Sequence, residues 1–283
     1  MQPEDLNNLV SRAARRLAEA GVDTPLLDAR LLLQAVTGWS REEMILDPSR
    51  PIGDGQTRQF DALIARRVMR EPVARILGER EFYGRSFRVT PDTLDPRPDT
   101  ETLVGAALHL MPPRARLLDL GTGTGAVIIT LLAERPDATG LGTDISAAAL
   151  AVATANAERH AVADRLQLVQ GSWFSPVRGR FDTILSNPPY IPSADIAGLS
   201  PDVRRFDPLA ALDGGADGLE AYRRIAAAAK AHLAPEGHVL VEIGLGQGPD
   251  VSAVFVAAGF AAAGERSDLG GRLRCLMFRE EKK

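Results

Sequence analysis

The run Asn187-Pro188-Pro189-Tyr190 holds the residue types most suited to chemistry in this sequence. Two successive prolines fix their own φ and force Asn187 and Pro188 toward extended backbone, which makes a rigid turn. Such a turn can hold two hydrogen-bond acceptors in fixed positions, the side-chain oxygen of Asn187 and the backbone carbonyl of Pro188. That pair suits a planar, conjugated nitrogen, whose lone pair is delocalised and therefore a poor nucleophile. Gripping both N–H hydrogens favours the pyramidal nitrogen that can attack. Tyr190 offers a flat face on which a planar amide or base can pack. A proline turn that merely ends an edge strand explains the prolines but not the Asn and Tyr that bracket them.

A second constellation precedes it. The apolar run Leu117-Leu118-Asp119-Leu120 leads directly into Gly121-Thr122-Gly123-Thr124-Gly125 and then a helical stretch, Val127 to Ala133. Glycines there let the backbone turn sharply and let a ligand approach without meeting a Cβ. Asp144 lies nineteen residues past Gly125, where a strand-end carboxylate can accept from both hydroxyls of a ribose; it can equally cap the helix begun at Ile145-Ser146. Trp173, at the end of a third strand, can pack on an adenine or fill core. These features fit any adenosine-bearing cofactor. The Asn-Pro-Pro-Tyr turn discriminates, since it supplies acceptors for a nucleophilic nitrogen and no evident proton donor for hydride chemistry. It favours S-adenosylmethionine, whose methyl sits on a positive sulfur that loses its charge as the methyl departs; orientation and electrostatics then supply most of the catalysis.

Strand-like runs at Arg116–Leu120, Ala138–Asp144, Leu166–Gln170, Phe181–Ser186, His238–Ile243 and Leu273–Phe278 alternate with helical ones. That alternation predicts an α/β fold with a doubly wound parallel sheet, which carries both constellations to its ligand-binding edge. Residues 1–70 read instead as a small helical domain, with Leu6, Leu9, Val10, Ala13 and Leu17 at helical spacing and Thr24-Pro25 as a helix start. Residues 71–97 read as a hairpin linker, and 98–283 as the catalytic domain.

Composition narrows the classes. The 283 residues are 45% hydrophobic and 25% charged, the balance of an ordinary globular protein. The net charge of −4 lacks the basic field of a nonspecific nucleic-acid binder, so no direct nucleic-acid contact is expected. Val254 to Gly264, the longest weakly polar stretch, is far short of the roughly 20 residues needed to cross a bilayer. The first residues, with Glu4 and Asp5, lack the apolar segment of a secretory signal, so a cytoplasmic protein is expected. His109, His160, His232 and His238 are scattered, so no metal site is expected, and Cys275 reads as a buried strand residue.

With these residues in view, the chain resembles the HemK-type protein-(glutamine-N5) methyltransferases. The resemblance spans nearly the whole chain: Ile76-Leu77-Gly78-Glu79-Arg80-Glu81-Phe82-Tyr83-Gly84, Pro96-Arg97-Pro98-Asp99-Thr100-Glu101, the glycine loop, Asn187-Pro188-Pro189-Tyr190 and Ala211-Leu212-Asp213-Gly214-Gly215. Asp95, Ser172 and Asp207 depart from the family pattern. The resemblance implies a class I S-adenosylmethionine-dependent methyltransferase, a Rossmann-like sheet preceded by a helical substrate-recognition domain. It implies that Gly121, Thr122, Gly123, Thr124, Gly125, Asp144, Trp173 and Asn187 contact the cofactor. It implies that Asn187, Pro188, Pro189 and Tyr190 hold the substrate, with Asn187 and Tyr190 catalytic, and that the substrate is the Gly-Gly-Gln glutamine of peptide chain release factors. Because the Asn-Pro-Pro-Tyr turn is shared with adenine-N6 methyltransferases acting on DNA or RNA, that activity is the alternative.

Overall fold

Apolar positions three and four apart build the first helices. In the computed structural model, which describes residues 5–281, α1 (Leu6–Glu19) turns Leu6, Leu9, Val10, Ala13 and Leu17 inward and is capped by the Asp5 carboxylate, which accepts from the Asn8 amide at 2.8 Å. Pro25 opens α2 (Pro25–Thr37), and Gly38 ends it in the left-handed region. Thr24 stands at the cap position of α2, yet its hydroxyl donates to the Asp28 carboxylate at 2.8 Å rather than capping the backbone. Ser40 and Glu43 close a reciprocal capping box on α3 (Arg41–Leu46).

With α4 (Asp54–Val68) and α5 (Val73–Leu77), these helices enclose a core that includes Leu9, Leu17, Leu32, Leu33, Phe60 and Ile64. This first unit runs to Gly78 and also contains residues 200–206, which carry the short helix α9 (Pro201–Phe206). The sequence reading ends the helical domain at residue 70 and leaves 200–206 inside the catalytic domain.

Arg67 explains why the distant segment belongs there. Its buried guanidinium meets Asp28 and Asp202 at 2.7 Å each, and Arg70 Nε adds a second bond to Asp202 at 2.5 Å. A buried ion pair broken on one side leaves the other charge uncompensated. Arg67→Ala is therefore expected to lower unfolding stability by about 3–5 kcal/mol, read as a lower denaturation midpoint; an unchanged midpoint would show that Asp28 and Asp202 find other partners.

The second unit begins with a hairpin, β1 (Glu79–Phe82) and β2 (Arg85–Arg88), joined by Tyr83 and Gly84, both at positive φ as a two-residue turn requires. Its main body is a seven-stranded sheet in the order β5-β4-β3-β6-β7-β9-β8. Strands β3 (Arg116–Leu120), β4 (Thr139–Asp144), β5 (Leu166–Gln170), β6 (Phe181–Ser186) and β7 (Leu233–Glu242) are parallel. Strands β8 (Phe260–Ser267) and β9 (Leu273–Glu280) run antiparallel at one edge, so the sheet is mixed rather than wholly parallel.

The two-residue side-chain period sorts the strands between two cores. Leu117, Leu185 and Leu240 face α6 (Glu101–Leu110) and α7 (Ala126–Glu134), while Leu118, Ile184, Val239 and Val241 face α10 (Glu220–His232) and α11 (Gly248–Ala257). Cys275 is fully buried on β9. Among the described residues no helix is long and apolar enough to cross a membrane.

Candidate active site

The chain leaves β3 toward β4 on one side and β6 on the other, so the strand order reverses beside β3. Ligands bind outside the carboxyl ends of strands at such a switch point. There a cavity of ≈ 520 Å³ opens, lined by Gly121, Gly123, Asp144, Trp173, Asn187, Pro188 and Pro189 among others.

The glycine loop divides its labour. Gly121, Gly123 and Gly125 have φ of 73°, 56° and 78°, a region costly for other residues. A Cβ on Gly121 or Gly123 would meet nothing within 4 Å, so these two present bare backbone to the cavity. A Cβ on Gly125 would lie 2.6 Å from Ile129 Cδ1 and 3.3 Å from Ala153 Cβ, so this glycine serves close packing. Thr122, Thr124 and Gly125 do not line the cavity. Thr122 instead donates its hydroxyl to Asp119 at 2.7 Å under the loop. Burial pushes the Asp119 carboxyl up to about 7 against that hydrogen bond, with the nearby Asp144 charge acting in the same direction as burial.

Asp144 does two jobs at once. Oδ2 accepts from the Gly123 amide at 2.9 Å and Oδ1 from the Ser146 amide at 2.9 Å, which ties the loop to the start of α8 (Ala147–Arg159). A carboxylate has about four acceptor sites, so lone pairs remain for a ligand. The helix cap proper is Ser146, whose hydroxyl accepts from the Ala149 amide. Trp173, partly exposed on the wall, has φ 50°, unusual for a bulky side chain, and its carbonyl accepts from Thr143 Oγ1 at 3.3 Å.

At the end of β6, Asn187 donates from Nδ2 to Thr100 Oγ1 at 3.1 Å. Behind the turn, the strap Leu212 to Gly218 hydrogen-bonds to Ile191, which donates to the Leu212 carbonyl at 3.1 Å and accepts from the Gly214 amide at 2.9 Å. Gln247 donates to the Tyr190 carbonyl at 2.9 Å. Tyr190 does not line the cavity; its ring lies against Gly244, where an added Cβ would come within 3.0 Å of Cδ2. Burial lifts its phenol to about 12.

The strap approaches so closely that only glycine fits. A Cβ on Gly214 would lie 2.8 Å from Tyr190 Cα, and one on Gly218 would run into the Tyr190 backbone carbonyl oxygen. Backbone cannot swing aside as a side chain can, so Gly218→Ala must displace the turn or the strap. A misplacement of about 1 Å at a reacting centre can cost on the order of 10²-fold in rate. Gly218→Ala is expected to lower turnover by more than about tenfold while cofactor affinity, read by calorimetry, changes little. Unaltered turnover would mean the turn tolerates the shift.

Comparison with known proteins adds the family. Residues 8–78 match the family model for the PrmC N-terminal domain and residues 99–197 that for the methyltransferase small domain. The release factor glutamine methyltransferase of Agrobacterium fabrum is 48% identical to this chain, covering 94% of each. That of Cereibacter sphaeroides is 50% identical, covering 94% of this chain and 95% of its own. The chain belongs to the release factor glutamine methyltransferase family. It is accordingly a methyltransferase with S-adenosylmethionine as methyl donor. A methyltransferase from Pyrococcus furiosus, 19% identical over 71% of this chain and 91% of its own, shares the fold with a TM-score of 0.53.

Several residues that shape this methyltransferase site carry no sequence signal of their own. Asn156, fully buried, donates to the carbonyls of Thr124 and Arg88 at 2.9 and 3.1 Å and accepts from the Arg88 amide, tying the hairpin to the glycine loop. Thr100 and Gln247 stand far from the turn in sequence, and only the fold brings them to it. Two of the departures from the family pattern find partners: Asp207 takes Arg97 Nη2 at 2.7 Å, and Asp95 pairs with Arg80 Nε at 3.6 Å. Ser172 is exposed on the cavity rim.

Proposed function

We propose that this methyltransferase transfers the methyl group of S-adenosylmethionine to the side-chain amide nitrogen, N5, of the glutamine in the Gly-Gly-Gln motif of peptide chain release factors. The observation that carries the reading is the commitment of Asn187 Nδ2 to Thr100, which leaves the amide oxygen as the end available to a substrate N–H. The names of the relatives that match nearly end to end support the choice of protein substrate.

The cavity fits the cofactor on its own features. Bare backbone at Gly121 and Gly123 leaves room for close approach, and Asp144 has lone pairs for ribose hydroxyls. Trp173 supplies a partly exposed ring for the adenine. When bound, the cofactor supplies an activated methyl on a cationic sulfur. The chain's part is positioning. Asn187 Oδ1 and the Pro188 carbonyl accept the two amide hydrogens, and the close backbone approach of Gly214 and Gly218 with the Gln247 side-chain amide holds the turn still. A group already placed needs no reorganisation as charge moves, which is where the rate advantage arises. Tyr190, set behind the cavity wall, acts by bracing the turn.

The helical unit is assigned to recognition of the release factor, in the cytoplasm where translation ends. The test is methyl transfer from labelled S-adenosylmethionine to a purified release factor, to its variant with the motif glutamine replaced, and to unmethylated duplex DNA. Label entering only the intact factor establishes reaction and substrate. Label entering DNA would transfer the same chemistry to an adenine amino group and sink the protein substrate.

A further inference from the structure

Glu242 ends β7, the strand next to the one that delivers Asn187, and the proposed reaction gives it no task. It is 2% exposed, and its Oε2 has no hydrogen-bond partner among the described residues. A buried carboxylate is costly to the fold, and an apolar residue would fill the place at lower cost. Groups from every neighbouring element face it. Thr100 and Asp99 precede α6, Asn187 and Tyr190 come from the turn, Arg274 and Cys275 from β9, and Tyr222 from α10. Tyr222 donates to the Glu242 backbone carbonyl at 2.8 Å, while Arg274 is already engaged by Asp99 at 2.8 Å and Asp268 at 3.2 Å.

An asparagine amide has two ends of nearly equal size, and turning it over would exchange an acceptor for a donor. For Asn187 the end that faces the substrate therefore needs a device to select it. Thr100 alone does not suffice, because a hydroxyl accepts from an N–H as readily as it donates to an oxygen. The hydroxyl becomes an acceptor only if its own hydrogen is taken elsewhere. An ionised carboxylate accepts and never donates. Thr100 and Asn187 both lie against the Glu242 carboxyl, each favouring its ionised form. With the Thr100 hydrogen drawn to Glu242, Thr100 can only accept from Asn187, and the Asn187 oxygen must point away.

We propose that Glu242, acting through Thr100, fixes the Asn187 amide with its oxygen toward the substrate nitrogen, so that Glu242 and Thr100 are positioning residues for the methyl transfer. The inference rests on the proposed role of Asn187. It also carries a pH dependence. Burial pushes the Glu242 carboxyl up to about 7, against Thr100, the Arg274 charge and Asn187, which hold it down. Below that pH the protonated carboxyl can donate to Thr100, and the selection is lost. Turnover therefore rises with pH through about 7.

The experiment measures kcat, KM and calorimetric cofactor affinity on the full chain, with a purified release factor as substrate. The variants are Thr100→Val, Thr100→Ser, Glu242→Gln, Asn187→Ala and the Thr100→Val/Asn187→Ala pair. Thr100→Val, which keeps shape and removes the hydroxyl, is expected to lower kcat about tenfold or more, with cofactor affinity within about twofold. Thr100→Ser restores most of that loss. Glu242→Gln lowers kcat and removes the rise with pH. In the Asn187→Ala background, Thr100→Val costs nothing further, because its effect passes through Asn187.

Normal kcat in Thr100→Val and Glu242→Gln beside a crippled Asn187→Ala overturns this inference and leaves the role of Asn187 standing. A Thr100→Val loss that persists undiminished in the Asn187→Ala background overturns it too. Full turnover in Asn187→Ala removes the role of Asn187 itself and this inference with it. Should Glu242→Gln fail to fold, the Thr100 series and the wild-type pH profile decide alone, and a flat profile through 7 counts against it.

Discussion

Asn187→Ala is expected to lower kcat by on the order of 10²–10³ while leaving the calorimetric affinity for S-adenosylmethionine nearly unchanged. The magnitude is that of losing one preorganised hydrogen-bond partner at a reacting centre. In the proposed mechanism the loss falls on turnover because the amide oxygen acts on the nucleophile. The affinity is preserved because Gly121, Gly123, Asp144 and Trp173 also line the cavity, and the hydrogen bonds that hold Asp144 and Trp173 run to Gly123, Ser146 and Thr143. Asn187→Asp makes a sharper companion. It keeps an oxygen acceptor but sets a second carboxyl beside buried Glu242, where two negative charges in low dielectric disfavour each other. It should fall below wild type at neutral pH. Near-normal turnover in Asn187→Ala would remove this residue from the mechanism.

Asp144→Ala is expected to act on the other half of the site, weakening cofactor binding by roughly 10²-fold, or about 2.7 kcal/mol. Two effects combine. The ribose loses an ionised acceptor, and a hydrogen bond to a charged group contributes about 1.5–3 kcal/mol. The amides of Gly123 and Ser146 also lose the carboxylate that joins them at 2.9 Å each, so the glycine loop is no longer tied to the start of α8. The second effect separates Asp144→Asn from Asp144→Ala. The amide oxygen of Asn can still take one of the two backbone bonds, and its affinity should lie between those of alanine and wild type. Calorimetry on the three proteins checks the order. An unchanged affinity in Asp144→Ala would leave Asp144 only a brace between loop and helix.

How much of the site was legible before the fold was known follows from where each signal lies. The glycine loop, Asp144, Trp173 and the Asn-Pro-Pro-Tyr turn all sit at strand ends, where local residue type and the sheet's geometry carry the same message. The walls of the cavity include Gly121, Gly123, Asp144, Trp173, Asn187, Pro188 and Pro189. Thr122, Thr124, Gly125 and Tyr190 share those segments but do not line the cavity, because a run of letters does not show which way each side chain of a turn points. Strand β8 escaped the pattern for a related reason. Phe260–Ser267 is mostly exposed and rich in alanine, and without a buried face it has no apolar alternation to read.

The sequence by itself determined the local pieces: the parallel strands, several of the helices, and the rigid bend at Pro188-Pro189. Propensity, periodicity and proline geometry act over a few residues, so they can be read along the chain. Tertiary structure alone decided which distant groups serve those pieces. Thr100, Asn156, Glu242 and Gln247 are ordinary residues in their own segments. Each gains its place in the site from neighbours many residues away, chosen by strand order and burial. Asp202 joins Arg67 and Arg70 by the same logic, since a buried charge must find its counterion wherever the fold places one.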